Sequence, residues 1–437
     1  MKKNWYVSGL VFILIFALIL PFVNKVSNNE KTLMHNSSIQ ILNLESKKSF
    51  DFFWEEANKD KNSKGYGLIR DRAPSNPDIS SVASVGFGLT AIAIGAERKW
   101  VSYNDAYERT LGTLNTLLNN VSEENGVFYH FVNINTGRRA WDSEVSIIDT
   151  SIAVCGALTA GEYFGGEIKE KAEQLYKRVN WNWFVDKSKN QYYMAYSPEK
   201  GFKGHWDFYA EQLMMYFLGA ASPTYPVSPE LFYDFTRQYG SYDGGERFIH
   251  SWFGSIFTYQ FSFAWFDLRN MVDNEGVDWW HNSVIAIESN RRYCINNKER
   301  FKTFGENSWG LTACDGPNGY NGRYGAPPSG FDNSQNYVDG TIPPAGAAGS
   351  IVFLPEDSIK ALEYYYNNFT ELWGKYGFYD AYNLDVVPAW FDKDVIGIDK
   401  GITLLMIENY QDEFVWKNFM KNEYVQKGIE MVGLKKK

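Results

Sequence analysis

Apolar residues at helical spacing recur in consecutive pairs along almost the whole chain, and this recurrence constrains the fold more than any single motif. The segment IQILNLESKKSFDFFWEEAN sets Ile41, Leu44, Phe52 and Phe53 at helical spacing. GLTAIAIGAERKW is followed by a polar step at Ser102-Tyr103-Asn104 and then by DAYERTLGTLNTLLNN. The same pairing joins IIDTSIAVCGALTAGEYF with EIKEKAEQLYKRV, AEQLMMYFLGAA with ELFYDFTRQY, and SIFTYQFSFAWFDLRNM with WWHNSVIAIESNRRYCINN. EDSIKALEYYYNNF, GITLLMIENYQ and FVWKNFM complete the series. About twelve helices in pairs predict a predominantly α architecture. Strand-like pieces are limited to GVFYHFV, NQYYMAYS and GSYDG. The pairs share no fixed-period motif, which argues against an open solenoid. A closed ring of helical hairpins would give an apolar, aromatic inner layer with a cleft at one end. Lys302 to Ala348 is rich in Gly, Pro, Asn and Asp, and a loop of that length in a compact domain is usually functional.

The N-terminus has a different character. Lys2 and Lys3 precede an uncharged run from Trp5 to Asn24, just long enough to cross a bilayer as a helix. No A-x-A pattern follows Leu20, so residues 1–24 read first as an uncleaved signal anchor, with a cleaved signal peptide as the alternative. Either reading places the rest of the chain outside the cytoplasm, anchored to the membrane or secreted. Residues 25–38 read as a flexible spacer, and residues 39–437 as one domain with no internal linker.

The balance of 43 Lys+Arg against 52 Asp+Glu gives a net charge of −9, which excludes a nucleic-acid footprint. With three cysteines and five histidines there is neither a disulfide framework nor a structural zinc pattern, and no metal or other cofactor is expected. Cys155 reads as buried and inert, while Cys294 and Cys314 form a candidate pair outside the cell. The chain contains no G-x-S-x-G elbow, Walker A loop or H-E-x-x-H. The surplus is aromatic: 15 Trp, 29 Tyr and 31 Phe, or 17%. Such residues fill a core or line a groove that stacks on the CH faces of sugar rings.

A saccharide partner directs attention to acids, because glycosidic hydrolysis needs two carboxyl groups in different environments, one protonated and one ionised. Glu211 stands at the start of an apolar helix among Trp206, Phe208, Tyr209, Leu213 and Met214, where first-turn capping and a cleft role are both open. WDSEVSIIDTSIAV holds Asp142, Glu144 and Asp149 ahead of another apolar helix, with Asp142 or Ser143 the simplest caps. Ile147, Ile148 and Ile152 surround Asp149. Asp399 follows Gly397 and precedes an apolar helix, as an N-cap or as a cleft acid. Candidate sugar-binding groups are Arg70 and Asp71 of the RDR step, then Trp206, and Trp265, Asp267 and Arg269 of WFDLR. Glu306, Asn307, Trp309 and Asp315 of GENSWGLTACDG join them. A structural ion pair is equally open for the RDR step, and each aromatic taken singly is more often core.

ASVGFGLTAIAIGAERKWVS, GVFYHFVNINTGRR, SEVSIIDTSI, FGENSWGLTACDGP and WGKYGFYDAYN, followed by GIDKG and MIENYQ, resemble the bacterial glucoamylase-like family. This family includes endo-β-1,2-glucanases and enzymes that release sophorose (glycoside hydrolase family 144). The likeness runs from about Phe50 to Leu434. It implies an (α/α)6 barrel and inverting hydrolysis of β-1,2-linked glucan, and does not imply starch as substrate. By this resemblance Glu211 is the general acid and Asp399 the general base, with Asp142, Glu144 and Asp149 as further cleft acids. The family commonly has Gln where this chain has Lys400, and Ser-Glu-Ala where it has Ala210-Glu211-Gln212. Transglycosylation of β-1,2-glucan and non-catalytic glycan binding are the competing expectations.

Overall fold

The computed structural model describes residues 39–437. The chain divides into two compact units, Met1–Leu44 and Glu45–Lys437. Residues 39–44 are helical; the anchor expected over 1–24 and the spacer over 25–38 lie outside the described residues. Within the described residues no helix is long and apolar enough to cross a membrane.

The second unit opens with helix α1 (45–55). It continues through α2 (Val82–Glu97), α3 (Tyr103–Asn119), α4 (Ile147–Phe164), α5 (Gly166–Arg178), α6 (Leu213–Ala221) and α7 (Trp279–Asn296). The last helices are α8 (Pro344–Ala348), α9 (Pro355–Asn368), α10 (Gly397–Asp412), α11 (Phe414–Phe419) and α12 (Glu423–Met431). The helix-rich expectation therefore stands.

Two kinds of helix alternate. In α2, α4, α6 and α10 nearly every residue is buried, so no face is left for water. Of the helices between them, α3, α5 and α9 are amphipathic, while α8 is buried throughout. α3 buries Ala106, Thr110, Thr113, Leu114 and Leu117, and α5 buries Ile168, Ala172, Leu175 and Tyr176. α9 does the same with Ser358, Ala361, Leu362 and Tyr365. Glycine lets the buried helices approach closely: a Cβ on Gly86 would lie 2.4 Å from the Ile152 carbonyl oxygen, and one on Gly156 would lie 1.9 Å from that of Gly86. Here α2 and α4 cross backbone to backbone. Buried polar side chains tie further segments together. Trp265 Nε1 donates to Thr90 Oγ1 at 3.1 Å, and Asn409 Nδ2 to the Ala264 carbonyl at 2.8 Å. Gln260 Nε2 donates to the Gly346 carbonyl at 2.9 Å.

Several local expectations are corrected. SIFTYQFSFAWFDLRNM forms two short 3₁₀ turns, Ile256–Tyr259 and Ser262–Ala264, and ELFYDFTRQY forms one at Pro229–Tyr233. Both stretches are crowded with aromatics, whose restricted χ1 lowers helix propensity. The Gly/Pro-rich loop hides helix α8 near its end. In GSYDG only Gly240 is in a strand, as part of Tyr239–Gly240 paired with Phe248–Ile249. Cys155, Cys294 and Cys314 are all free and buried, so the expected Cys294–Cys314 pairing is absent. Cys294 is enclosed in α7, whereas Cys314 packs with Tyr324 and Ala381.

What positions the site is a collar of short strands at the N-terminal ends of the buried helices. Ile79–Ser81 leads straight into α2, Val145–Ser146 into α4 and Val395–Ile396 into α10. These strands pair with Phe131–Asn133, Gln191–Ser197 and Arg72–Ala73 respectively. The collar gathers side chains distant in sequence at one end of the helices.

Candidate active site

Glu211 lies on a turn that is held from inside. Gln212, fully buried, accepts from the Ala210 backbone N–H at 2.6 Å and donates from Nε2 to the Phe208 carbonyl at 2.8 Å. Ser262 Oγ donates to the Glu211 carbonyl at 2.6 Å. α6 starts only at Leu213 and has no side-chain cap, so the first-turn capping reading of Glu211 fails. Its side chain instead lines a cleft of about 590 Å³ walled by Trp206, Phe208, Trp252, Phe253 and Phe331. Phe208, Trp252 and Phe331 meet edge to face at centroid distances of 5.2–5.7 Å. Removal from water disfavours the carboxylate, and the charge of Asp149 adds to this, so Glu211 titrates at about 7.

Asp149 belongs to a second group, at the start of α4. The cap of that helix is Ser146, whose Oγ accepts from the Asp149 backbone N–H at 3.3 Å and donates to the Asp149 carboxylate. The expected caps are thus corrected: the Ser143 hydroxyl bridges the Phe131 N–H and carbonyl, and Asp142 is exposed in a left-handed turn (φ 52°). His130 Nδ1 lies 2.9 Å from Glu144 Oε1, and Nε2 lies 3.7 Å from Asp149 Oδ1. Burial opposes the imidazolium, but the charges of Asp149 and Glu144 outweigh it and raise His130 to about 9. It is therefore a cation at neutral pH. The hydrogen bond with His130 holds Glu144 below the usual carboxylate range, while burial pushes Asp149 above it.

The third group surrounds Asp399, the third residue of α10. Gly397 forms no turn of its own. It is the first helical residue, its N–H donates to the Asp71 carbonyl at 2.7 Å, and a Cβ there would lie 2.2 Å from Ser84 Oγ. α10 has no side-chain cap, so Asp399 is not an N-cap. Arg72 Nη1 lies 2.7 Å from Asp315 and 3.6 Å from Asp394, with Nε 3.5 Å from Asp71. Asp380 Oδ2 accepts from the Asp315 backbone N–H at 2.7 Å. Asp399 Oδ2 and Asp380 Oδ1 are both buried without a hydrogen-bond partner. Burial and the charge of Asp315 raise Asp399 to about 7, against the opposing pull of Asp380, Lys400 and Arg72. Burial and its acidic neighbours raise Asp380 well above its normal range. Asp315, Asp380 and Asp392 bring one oxygen each within 4.8 Å of one another, and the cation the protein itself supplies there is Arg72.

One network of charges connects these groups. Asp149 acts on Glu211; Asp71 acts on Asp149, on His130 and on the Tyr320 hydroxyl; Asp399 and Asp380 act on that same hydroxyl.

The remaining candidates divide sharply. Trp206 is in the cleft wall, and Asp71 and Asp315 are in the Arg72 cluster. Arg70 is committed elsewhere, at 2.6 Å from Glu56 and donating to the Pro74 and Ser75 carbonyls. Trp265 and Trp309 are fully buried core: the Tyr365 hydroxyl bridges the Trp309 N–H and carbonyl. Asp267 pairs with Arg269 at 2.7 Å, and Arg269 also holds Glu413 at 2.8 Å and lies over Trp416, away from the acids. Glu306 and Asn307 form the turn between Gly305 and Ser308, with Arg291 donating to the Glu306 carbonyl. A sugar-binding role for Arg70, Trp265, Asp267, Arg269, Glu306, Asn307 or Trp309 therefore has no support in their placement. His130, Tyr320, Asp380, Trp252 and Phe331 escaped the sequence reading. His130 and Asp380 sat inside motifs that could have flagged them, and Tyr320 and Phe331 lie in the Lys302–Ala348 loop already read as functional.

The Glycoamylase (glucoamylase) family model matches residues 203–423. The chain is 29% identical over 432 residues to an exo β-1,2-glucooligosaccharide sophorohydrolase (non-reducing end) of Parabacteroides distasonis. That match covers 90% of this chain and 58% of the relative, so the chain spans well under two thirds of the curated relative's length. The endo-β-1,2-glucanase of Chitinophaga pinensis, solved with sophorotriose and glucose, superposes with a TM-score of 0.81 at 28% identity, covering 91% of this chain and 98% of that one. The β-1,2-glucanase of Parabacteroides distasonis superposes with a TM-score of 0.81 at 27% identity, covering 91% and 60%. By the family match and by motifs that extend well beyond it, the chain belongs to the glucoamylase-like family.

Proposed function

We propose that this protein is a glycoside hydrolase that cleaves β-1,2-linked glucan to short sophoro-oligosaccharides with inversion. The observation that carries this reading is the pair Glu211 and Asp399, each raised to about 7 and joined by one network of charges, one of them on an aromatic wall. Phe208, Trp252 and Phe331 offer apolar faces for glucose rings. The protonated Glu211 delivers its proton to the glycosidic oxygen, and the ionised Asp399 takes one from the attacking water, directly or through a substrate hydroxyl. His130 as imidazolium favours the ionised form of Glu144 and opposes the effect of burial on Asp149, and the charge of Asp149 in turn favours the protonated form of Glu211. The names of the relatives support the choice of linkage.

The same reading includes an (α/α)6 barrel. The buried segments α2, α4, α6, 256–266, 344–353 and α10 alternate with outer segments, and contacts between α10 and α2 support closure of the ring. It also includes an extracytoplasmic location with an N-terminal anchor or signal.

The test is incubation of the purified protein with β-1,2-glucan, measuring reducing ends and following the first product anomer by NMR. Hydrolysis with inversion gives the α-anomer first. The absence of new reducing ends, or cyclic and lengthened products in their place, would remove the assignment.

A further inference from the structure

Trp141 is the only exposed tryptophan among the described residues, at 57%. Its backbone is left-handed (φ 55°), and so is that of Asp142 (φ 52°), a conformation that is costly for residues with a Cβ and persists only where the surroundings impose it. Arg139 imposes it here. Its Nε donates to the Ser143 carbonyl at 2.6 Å, Nη2 to the Asp142 carbonyl at 2.8 Å, and Nη1 pairs with Glu199 at 2.6 Å. The guanidinium also lies over the Tyr129 ring at 4.8 Å. The turn is closed by the Ser143 N–H on the Ala140 carbonyl at 3.0 Å. One edge of the indole is braced by Phe131 at 5.2 Å, and Phe131 stacks on His130 at 3.8 Å. The turn is therefore continuous with the His130–Glu144–Asp149 group, with Glu144 itself partly exposed. A large apolar ring exposed to water on a turn fixed by Arg139, beside acceptors and next to the acids, has the form of a sugar platform.

We infer that Trp141 is a stacking subsite for a glucosyl unit of β-1,2-glucan remote from the linkage being cut, with Asp142 and Glu144 positioned to accept its hydroxyls. The subsite rests on the hydrolase reading. The Glu211 cleft already has its own aromatic wall, so Trp141 serves a further stretch of the glucan chain beside the His130–Glu144–Asp149 group. Its contribution grows with substrate length.

The experiment compares wild type, Trp141→Ala and Trp141→Tyr on β-1,2-glucan polymer and on sophorotriose. The ratio of kcat/KM for polymer to that for trimer is expected to fall about three- to tenfold in Trp141→Ala, the range of an aromatic stacking contact, and to recover in Trp141→Tyr. An unchanged ratio, or equal losses on both substrates, overturns the inference. Calorimetric binding of the polymer to Glu211→Gln with and without Trp141→Ala gives a readout that needs no turnover. Weaker polymer binding in the double variant supports the subsite even if wild type proves inactive and the hydrolase reading falls, whereas equal binding overturns it.

Discussion

Glu211 and Asp399 reach the same protonation range from opposite surroundings. Glu211 stands on an open, aromatic wall, and burial against apolar surface alone accounts for most of its shift. Asp399 is almost enclosed, 6% exposed, among Asp71, Asp315, Asp380, Asp392 and Asp394 around Arg72. A solitary carboxyl in an apolar wall keeps its proton because nothing solvates the charge. A carboxyl in an acidic cluster keeps or releases it according to its neighbours. The first arrangement suits a group that delivers a proton to substrate, and the second suits one whose charge must be restored after each cycle.

The comparison breaks most directly by removing either acid. Glu211→Gln and Asp399→Asn are each expected to lower kcat on β-1,2-glucan about 10²- to 10⁴-fold, with folding checked by circular dichroism. Retention of more than a tenth of the activity by either variant would take that residue out of the chemistry.

Behind Asp399, Lys400 is paired at 2.7 Å with Glu45, the two side chains 5% and 1% exposed. Lys400→Met leaves a buried carboxylate without its partner and is expected to cost about 3–5 kcal/mol in urea unfolding. Lys400→Met combined with Glu45→Leu should recover most of that loss. Equal stability of the single variant and wild type would contradict the pairing.

The pH response sharpens the contrast. With Glu211 as the proposed acid and Asp399 as the proposed base, kcat/KM should follow a narrow bell centred near 7, with each variant losing its own limb. Stability has its own sign. The folded Glu211 binds its proton more tightly than the unfolded chain (about 7 against 4.5), so its stabilising contribution is complete below about 4.5 and lost as pH rises through 7. Between pH 5 and 8 wild type should lose about 1–3 kcal/mol more than Glu211→Gln. Parallel pH profiles would show that the carboxyl is not held protonated.

The smallest effect tests the group between them. Ser146→Ala removes the cap of α4 and a donor to Asp149, with an expected cost of about 1 kcal/mol in the thermal or urea midpoint. No change would mean that another donor fills the place.

Much of this was legible in the chain. Helices such as α3, α5 and α9 followed from apolar spacing, because a helix must bury its stripe whatever surrounds it. Glu211 and Asp399 were legible as acids embedded in apolar sequence, and motif resemblance gave them roles. Trp265 and Trp309 show where that reading stops. They stand beside polar residues in sequence as plausibly as Trp252 does, yet one side of the fold buries them and the other leaves Trp252 in the cleft wall. Nor could sequence tell that Arg70 turns to Glu56 while its near neighbour Arg72 turns to Asp315.

By itself, then, the sequence determined the helical periodicity, the acidic balance and which carboxyls lie in apolar stretches of the chain, since these depend only on neighbours along the chain. Tertiary structure alone decided that Asp71, His130, Asp149, Tyr320, Asp380 and Asp399 share one field. Charges interact through space, and the short strands that collar the buried helices join segments more than 300 residues apart, as Arg72 and Ile396 are.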